Sequence, residues 1–227
     1  MCRCKFLCGV AALMCAALPA LAGDQFPPPW PRTDPTGEPL PDVTFQCWTF
    51  PTAASPIPPD PGFWNPHGQP FGPRIVPADP NTPPIWLPEF GGREGVWCLN
   101  PGDMMEFEIP NWFMPPPHEK EIWVQIKHLF GPPRVEVIYP AGTGLLTVPA
   151  LPAGGGPIDP PGSAWMETAY YTILPYCPEF EVIKITALEQ MYIDQVCIDT
   201  YCRIPAPGAA ALLGLGGLVA ARRRRAD

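Results

Sequence analysis

Proline sets the first limit on what this chain can fold into. Its 227 residues include 38 prolines. Pro19, Pro205 and Pro207 lie near the ends, which leaves 35 between them. A proline ring removes a backbone donor and collides with the preceding helical turn, so long helices are blocked wherever prolines recur. What remains open is a body of short extended segments, with proline confined to turns, loops and sheet edges. The composition still argues for a packed domain. Aromatic residues make up 11% of the chain, and Ser55 and Ser163 are its only serines, unlike a flexible Ser-rich linker.

Between the prolines, apolar residues alternate with polar ones. Met105, Phe107 and Ile109 share one face, with Glu106 and Glu108 on the other. Ile122, Val124, Ile126 and Phe130 oppose Glu121, Trp123, Gln125 and Lys127, and Val135, Val137 and Tyr139 alternate with Arg134 and Glu136. A period of two marks half-buried strands of an antiparallel sheet. Residues 43–50, 164–174, 180–187 and 191–200 are further strands, separated by turn signals at 131–133 and 153–161. About eight short strands predict an all-β fold, an antiparallel β-sandwich of which the jelly roll is one form. Two Pro-rich stretches flank the first strand. Residues 24–41 read as an extended lead that does not pack, and residues 51–88 as a long loop pinned across the sheet by its aromatic side chains.

Charge narrows the partners. From Gly23 to Arg203 there are 8 Lys/Arg against 21 Asp/Glu, a net −13. Such a surface repels nucleic acid and anionic lipid, and suits neutral sugars or cations. Cys47, Cys98, Cys177, Cys197 and Cys202 are disulfide candidates; five cysteines leave one over, and spacing does not choose the pairs.

Motifs for catalysis or metal binding are sparse. His118-Glu119 lacks the second histidine of a zinc-protease helix, since Ile122 occupies its place. Ser163 lacks the Gly-x-Ser-x-Gly elbow. Glu106 and Glu108 could serve acid–base work on a glycoside, though a solvated sheet face explains them more simply. Asp194 and Asp199 offer oxygens to calcium without the loop such a site uses, and the sequence implies no cofactor. Trp123, flanked by Glu121 and Gln125, is the candidate ligand contact: a flat ring between hydrogen-bonding groups suits a sugar. Burial of Trp123 beneath the 51–88 loop is the competing expectation.

The ends carry the address. Arg3 and Lys5, the apolar run Phe6 to Leu18 and Ala20-Leu21-Ala22 form a secretory signal over residues 1–22. At the other end, Pro205-Ala206-Pro207 precedes the uncharged run Gly208 to Ala221 and then Arg222, Arg223, Arg224 and Arg225. Fourteen residues are short for a stable transmembrane helix, and the arginines would stay on the cytoplasmic side. This order resembles the PEP-CTERM sorting signal of exported bacterial proteins, with Ala206 standing where that family carries Glu. Residues 193–200 are similar to the closing strand of planctomycete-type proteins bearing such tails. The resemblance implies processing of segment 204–227 by an exosortase-like enzyme and membrane contact through that tail alone. The expectation is an exported, non-catalytic cell-surface or matrix protein with a body at 23–203. A carbohydrate-binding module that meets extracellular polysaccharide is the alternative, and a glycoside hydrolase the second.

Overall fold

A computed structural model describes residues 25–158 and 164–204. They form eleven strands and no helix: β1 (Val43–Trp48), β2 (Phe71–Val76), β3 (Ile85–Phe90), β4 (Arg93–Leu99), β5 (Met104–Pro110), β6 (Glu119–Leu129), β7 (Arg134–Ala141), β8 (Gly144–Pro157), β9 (Trp165–Leu174), β10 (Phe180–Thr186) and β11 (Met191–Arg203). Every pairing is antiparallel, in the order β2-β5-β10-β7-β8-β9-β6-β11-β4-β3, with β1 beside β11. Among the described residues no helix is long and apolar enough to cross a membrane.

The sheet curls into a sandwich because β8 serves both layers. Residues 144–150 pair with β7, and residues 151–157 pair with β9, with an irregularity between Pro152 and Gly154. A strand that bends and changes layers is how such corners are made. Each half of β8 is bonded on one side only, so Pro149 and Pro152 fall where a missing N–H costs least. On the opposite side the β1–β2 connection closes the gap. Trp64 exchanges backbone hydrogen bonds with Phe45 of β1 (2.8 and 2.9 Å), and Ile57 does so with Gly72 of β2 (3.1 and 3.2 Å).

Between the layers lies one core. Met105, Phe107 and Ile109 of β5 and Val135, Val137 and Tyr139 of β7 meet Ile122, Val124 and Ile126 of β6 and Val196 and Ile198 of β11, all buried. Alternation therefore marks the inward faces correctly. Phe130 departs from it: it lies past the end of β6 at φ 75° and is exposed.

Four expectations need correction. Residues 51–88 are not one loop, because β2 and most of β3 lie within them, and the turn expected at 153–161 is strand as far as Pro157. The lead does pack. It runs as a strap over the outer face of the layer containing β6, crossing β8, β9, β6, β11 and β1 in turn. Phe26 lies against Gly154, where an added Cβ would come within 3.1 Å of its ring. Gln25 N–H donates to Glu167 Oε1 (3.1 Å), and Arg32 grips Asp199 through two bonds of 2.5 and 2.8 Å while lying over the Phe45 ring. The fourth correction follows: the strap, not the 51–88 segment, covers Trp123, whose indole N–H donates to Phe26 O at 2.8 Å.

Disulfides join Cys47 to Cys197 and Cys177 to Cys202, leaving Cys98 a buried thiol rather than a bridge partner. The first links directly opposed residues of β1 and β11 under the strap. The second ties the β9–β10 loop to the end of β11.

A candidate binding cleft at one end of the sandwich

Four connections converge at the end of the sandwich where β5 finishes and β6 begins. They are Pro66-His67 from the β1–β2 segment, residues 111–118 between β5 and β6, the β7–β8 turn at Pro140–Gly142, and residues 175–179 between β9 and β10. Proline at 110, 115, 116 and 117 prevents residues 111–118 from continuing either strand. The segment is nonetheless fixed. Asn111 N–H donates to Glu179 O (2.7 Å), Met114 N–H to Cys177 O (2.9 Å), and Cys177 N–H back to Met114 O (3.1 Å).

Beneath it sits a buried charged trio. Lys120 faces inward on β6, and its ammonium donates to Asn111 Oδ1 and pairs with Glu181 of β10 at 3.3 Å. Asn111 Nδ2 donates to Glu181 and to Ile109 O (3.1 Å). Lys120 and Glu181 are almost wholly excluded from solvent. Burial pushes the Glu181 carboxyl up to about 7 and pulls the Lys120 ammonium down, each shift partly offset by the other's charge. The trio thus fixes the start of the 111–118 segment from below.

Above this floor the segment turns its aromatics outward. Trp112 is 68% exposed and Phe113 49%. The His67 ring meets Trp112 edge-on at 6.0 Å, and Phe113 meets Tyr176 at 6.1 Å. Tyr176 O–H donates to Pro140 O, which holds the far wall. Two cavities lie side by side, of about 590 Å³ against Pro140 and Tyr176 and about 500 Å³ against His67 and Trp112, with Phe113 and Glu179 lining both. Their size falls in the range of about 300–1,000 Å³ usual for ligand pockets. Burial, followed by the Lys120 charge, lowers the His67 pKa, with Asp42 acting the other way.

The residues expected to contact ligand are elsewhere. Trp123, Glu121 and Gln125 lie on the outer face under the strap, each with a partner from the chain itself. Glu121 pairs with Arg203. The Gln125 amide, with its nitrogen turned toward them, reaches Phe26 O (2.9 Å) and Glu167 Oε1 (3.1 Å). Tyr171 beside them is pushed up to about 12, by burial first and then by its bond to Glu121. Asp199 is held by Arg32, and Asp194 pairs with Arg93 at 3.5 Å, so the oxygens considered for calcium meet arginines. Among the described residues no group of three or more His, Cys, Asp or Glu is arranged to hold a metal ion. Glu106 is engaged by Arg74 beside Glu108. The His118 ring meets Pro115 O at 3.0 Å in a turn, not on a helix. Ser163, Pro205, Ala206, Pro207 and Arg222 to Arg225 lie outside the described residues. Sequence reasoning passed over Trp112 and Phe113. The signal was there: two adjacent aromatics between prolines cannot both face a core, because neighbours on an extended chain point opposite ways.

No protein family matches this chain, and no curated protein matches it. Among solved structures it is similar to a family GH115 4-O-methyl-α-glucuronidase with specificity for decorated arabinogalactans. The identity is 16% and the TM-score 0.29, over 55% of this chain and 17% of that one. At that TM-score the likeness bears on neither fold nor activity.

Proposed function

We propose that this chain is exported and acts at the cell surface or in the extracellular matrix as a non-catalytic β-sandwich protein, delivered through its PEP-CTERM-like tail by an exosortase-like enzyme. The pair of disulfides carries this reading. Such bonds persist in oxidising compartments, which agrees with the signal at residues 1–22. The acidic body supports it as well, since it stays soluble and disfavours anionic surfaces. Mass spectrometry of exported material tests it: the mature chain should begin near Gly23 and lack Arg222 to Arg225. Exported protein with intact ends would overturn the sorting proposal. If the tail is kept with Ala206 and cut in Ala206→Glu, the departure from the family pattern limits cleavage.

The exposed Trp112 and Phe113 favour a second reading, a carbohydrate-binding module. It is compatible with the first, because a matrix protein needs something to hold.

A further inference from the structure

We infer that the two cavities at the end of the sandwich together bind one neutral polysaccharide chain, with sugar rings on Trp112 and Phe113 and a pair of hydroxyls on Glu179. This rests on the carbohydrate-binding reading and assigns it a site and a class of sugar. Single exposed apolar side chains are common and call for no explanation. Here two adjacent aromatics stand in water on a segment fixed by backbone bonds to residues 177–179, by the Cys177–Cys202 bridge and by the buried Lys120–Asn111–Glu181 trio. Ordering a segment costs roughly 1–2 kcal/mol per residue, and a rigid site spares a ligand that cost on binding.

The lining chooses the occupant. Flat aromatic faces suit the apolar faces of sugar rings, while hydroxyls need acceptors and donors within reach. Glu179 supplies a carboxylate that accepts, and the His67 ring nitrogens add a donor. A body of net −13 with Glu179 lining both cavities repels uronic, sulfated or phosphorylated chains. Two adjoining cavities that share Phe113 and Glu179 suit a repeating chain rather than a single ring.

The test uses the exported, oxidised protein. Calorimetric titration with soluble neutral glucan, mannan and galactan is set against an acidic polyuronate and a proline-rich peptide. At least one neutral chain should bind, more tightly as oligomers lengthen from the disaccharide, and the polyuronate should not. Trp112→Ala should weaken binding tenfold or more and Glu179→Gln about three- to tenfold, with unchanged melting temperatures. Neutral glycan bound equally by wild type and both variants would overturn the site while sparing the carbohydrate reading. Binding of the polyuronate alone would overturn the neutral class assigned here while sparing the carbohydrate reading, and binding of the peptide alone, or of no glycan at millimolar sugar, would overturn both.

Discussion

Trp123 and Trp112 are made of the same ingredients and meet opposite fates. Each is an indole with carboxylates nearby, Trp123 in the middle of β6 and Trp112 in the segment that leads into it. Trp123 stands on a regular strand, so its ring rises from a broad face, and the strap lies across that face to give its N–H a backbone carbonyl. Trp112 stands in a proline-bounded turn at the rim, where no strand can pair with it and no strap passes. A polar face flanking an aromatic is therefore no mark of a ligand site by itself. What distinguishes the two regions is whether the chain supplies the cover. Each region also has a disulfide near it: Cys47–Cys197 joins β1 to β11, and Cys177–Cys202 ties the β9–β10 loop that lines the cleft to β11.

The bridges offer the largest test of that contrast. Removing a cross-link frees the unfolded chain in proportion to the logarithm of the loop it closed. Cys47 and Cys197 are 150 residues apart, Cys177 and Cys202 only 25. Denaturant unfolding should show a loss of about 5 kcal/mol for Cys47→Ala/Cys197→Ala and about 3.5 kcal/mol for Cys177→Ala/Cys202→Ala. Only the second pair should also weaken binding at the cleft. If the strap-side pair impairs binding as much, the two regions are one cooperative unit.

The buried trio comes next. Lys120→Met leaves Glu181 enclosed without its cation, so the carboxyl must take up a proton or stay buried unpaired, at a cost of about 3–5 kcal/mol, whereas Lys120→Met/Glu181→Leu should recover most of it. A double variant as unstable as the single would mean that Lys120 acts by packing. The same pair predicts a pH dependence. Because Glu181 holds its proton more tightly folded than unfolded, its stabilising contribution is full below the ordinary carboxylate value and is lost as pH rises through about 7. Glu181→Gln should flatten the stability profile in that window, and an unchanged slope would place its source elsewhere.

Smaller still is the effect of uncovering the strap. Trp123→Ala removes a half-buried indole and one of the two donors to Phe26 O, so about 3 kcal/mol should be lost, at the low end for large aromatics. Hydrogen exchange in residues 25–32 should quicken in the same variant. Full protection there would mean that Arg32–Asp199 and Gln25–Glu167 hold the strap without the indole.

What could be read from the residues divides along the same line between centre and edge. β5, β6, β7, β10 and β11 announce themselves because one face meets the core and the other meets polar groups. β2, β3 and each half of β8 are edges, where Pro73, Pro88, Pro149 and Pro152 are tolerated, so proline mimics loop in each. β4 fails for the opposite reason: Gly95 to Leu99 is buried on both faces, which erases alternation. The strap was hidden because its packing depends on β8, whose Gly154 makes room for Phe26 and was itself read as a turn. The cleft was hidden because it gathers residues from four connections that only the topology brings together.

The smallest expected effect is the most discriminating. Trp112→Ala deletes a side chain that is 68% exposed. Substitutions at exposed positions without caps, cores or charges usually change stability by less than about 0.5 kcal/mol, so its melting curve should overlay that of the wild type. The indole touches the His67 edge and little of the core, and the bonds that fix residues 111–114 come from the backbone and from Asn111, which the variant keeps. A loss as large as that of Trp123→Ala would show that Trp112 braces the rim, and the contrast between a covered and an open aromatic would collapse. An unchanged melting curve would establish that the fold does not use Trp112. The ring is then free for the sugar contact proposed above, which titration of the same variant decides.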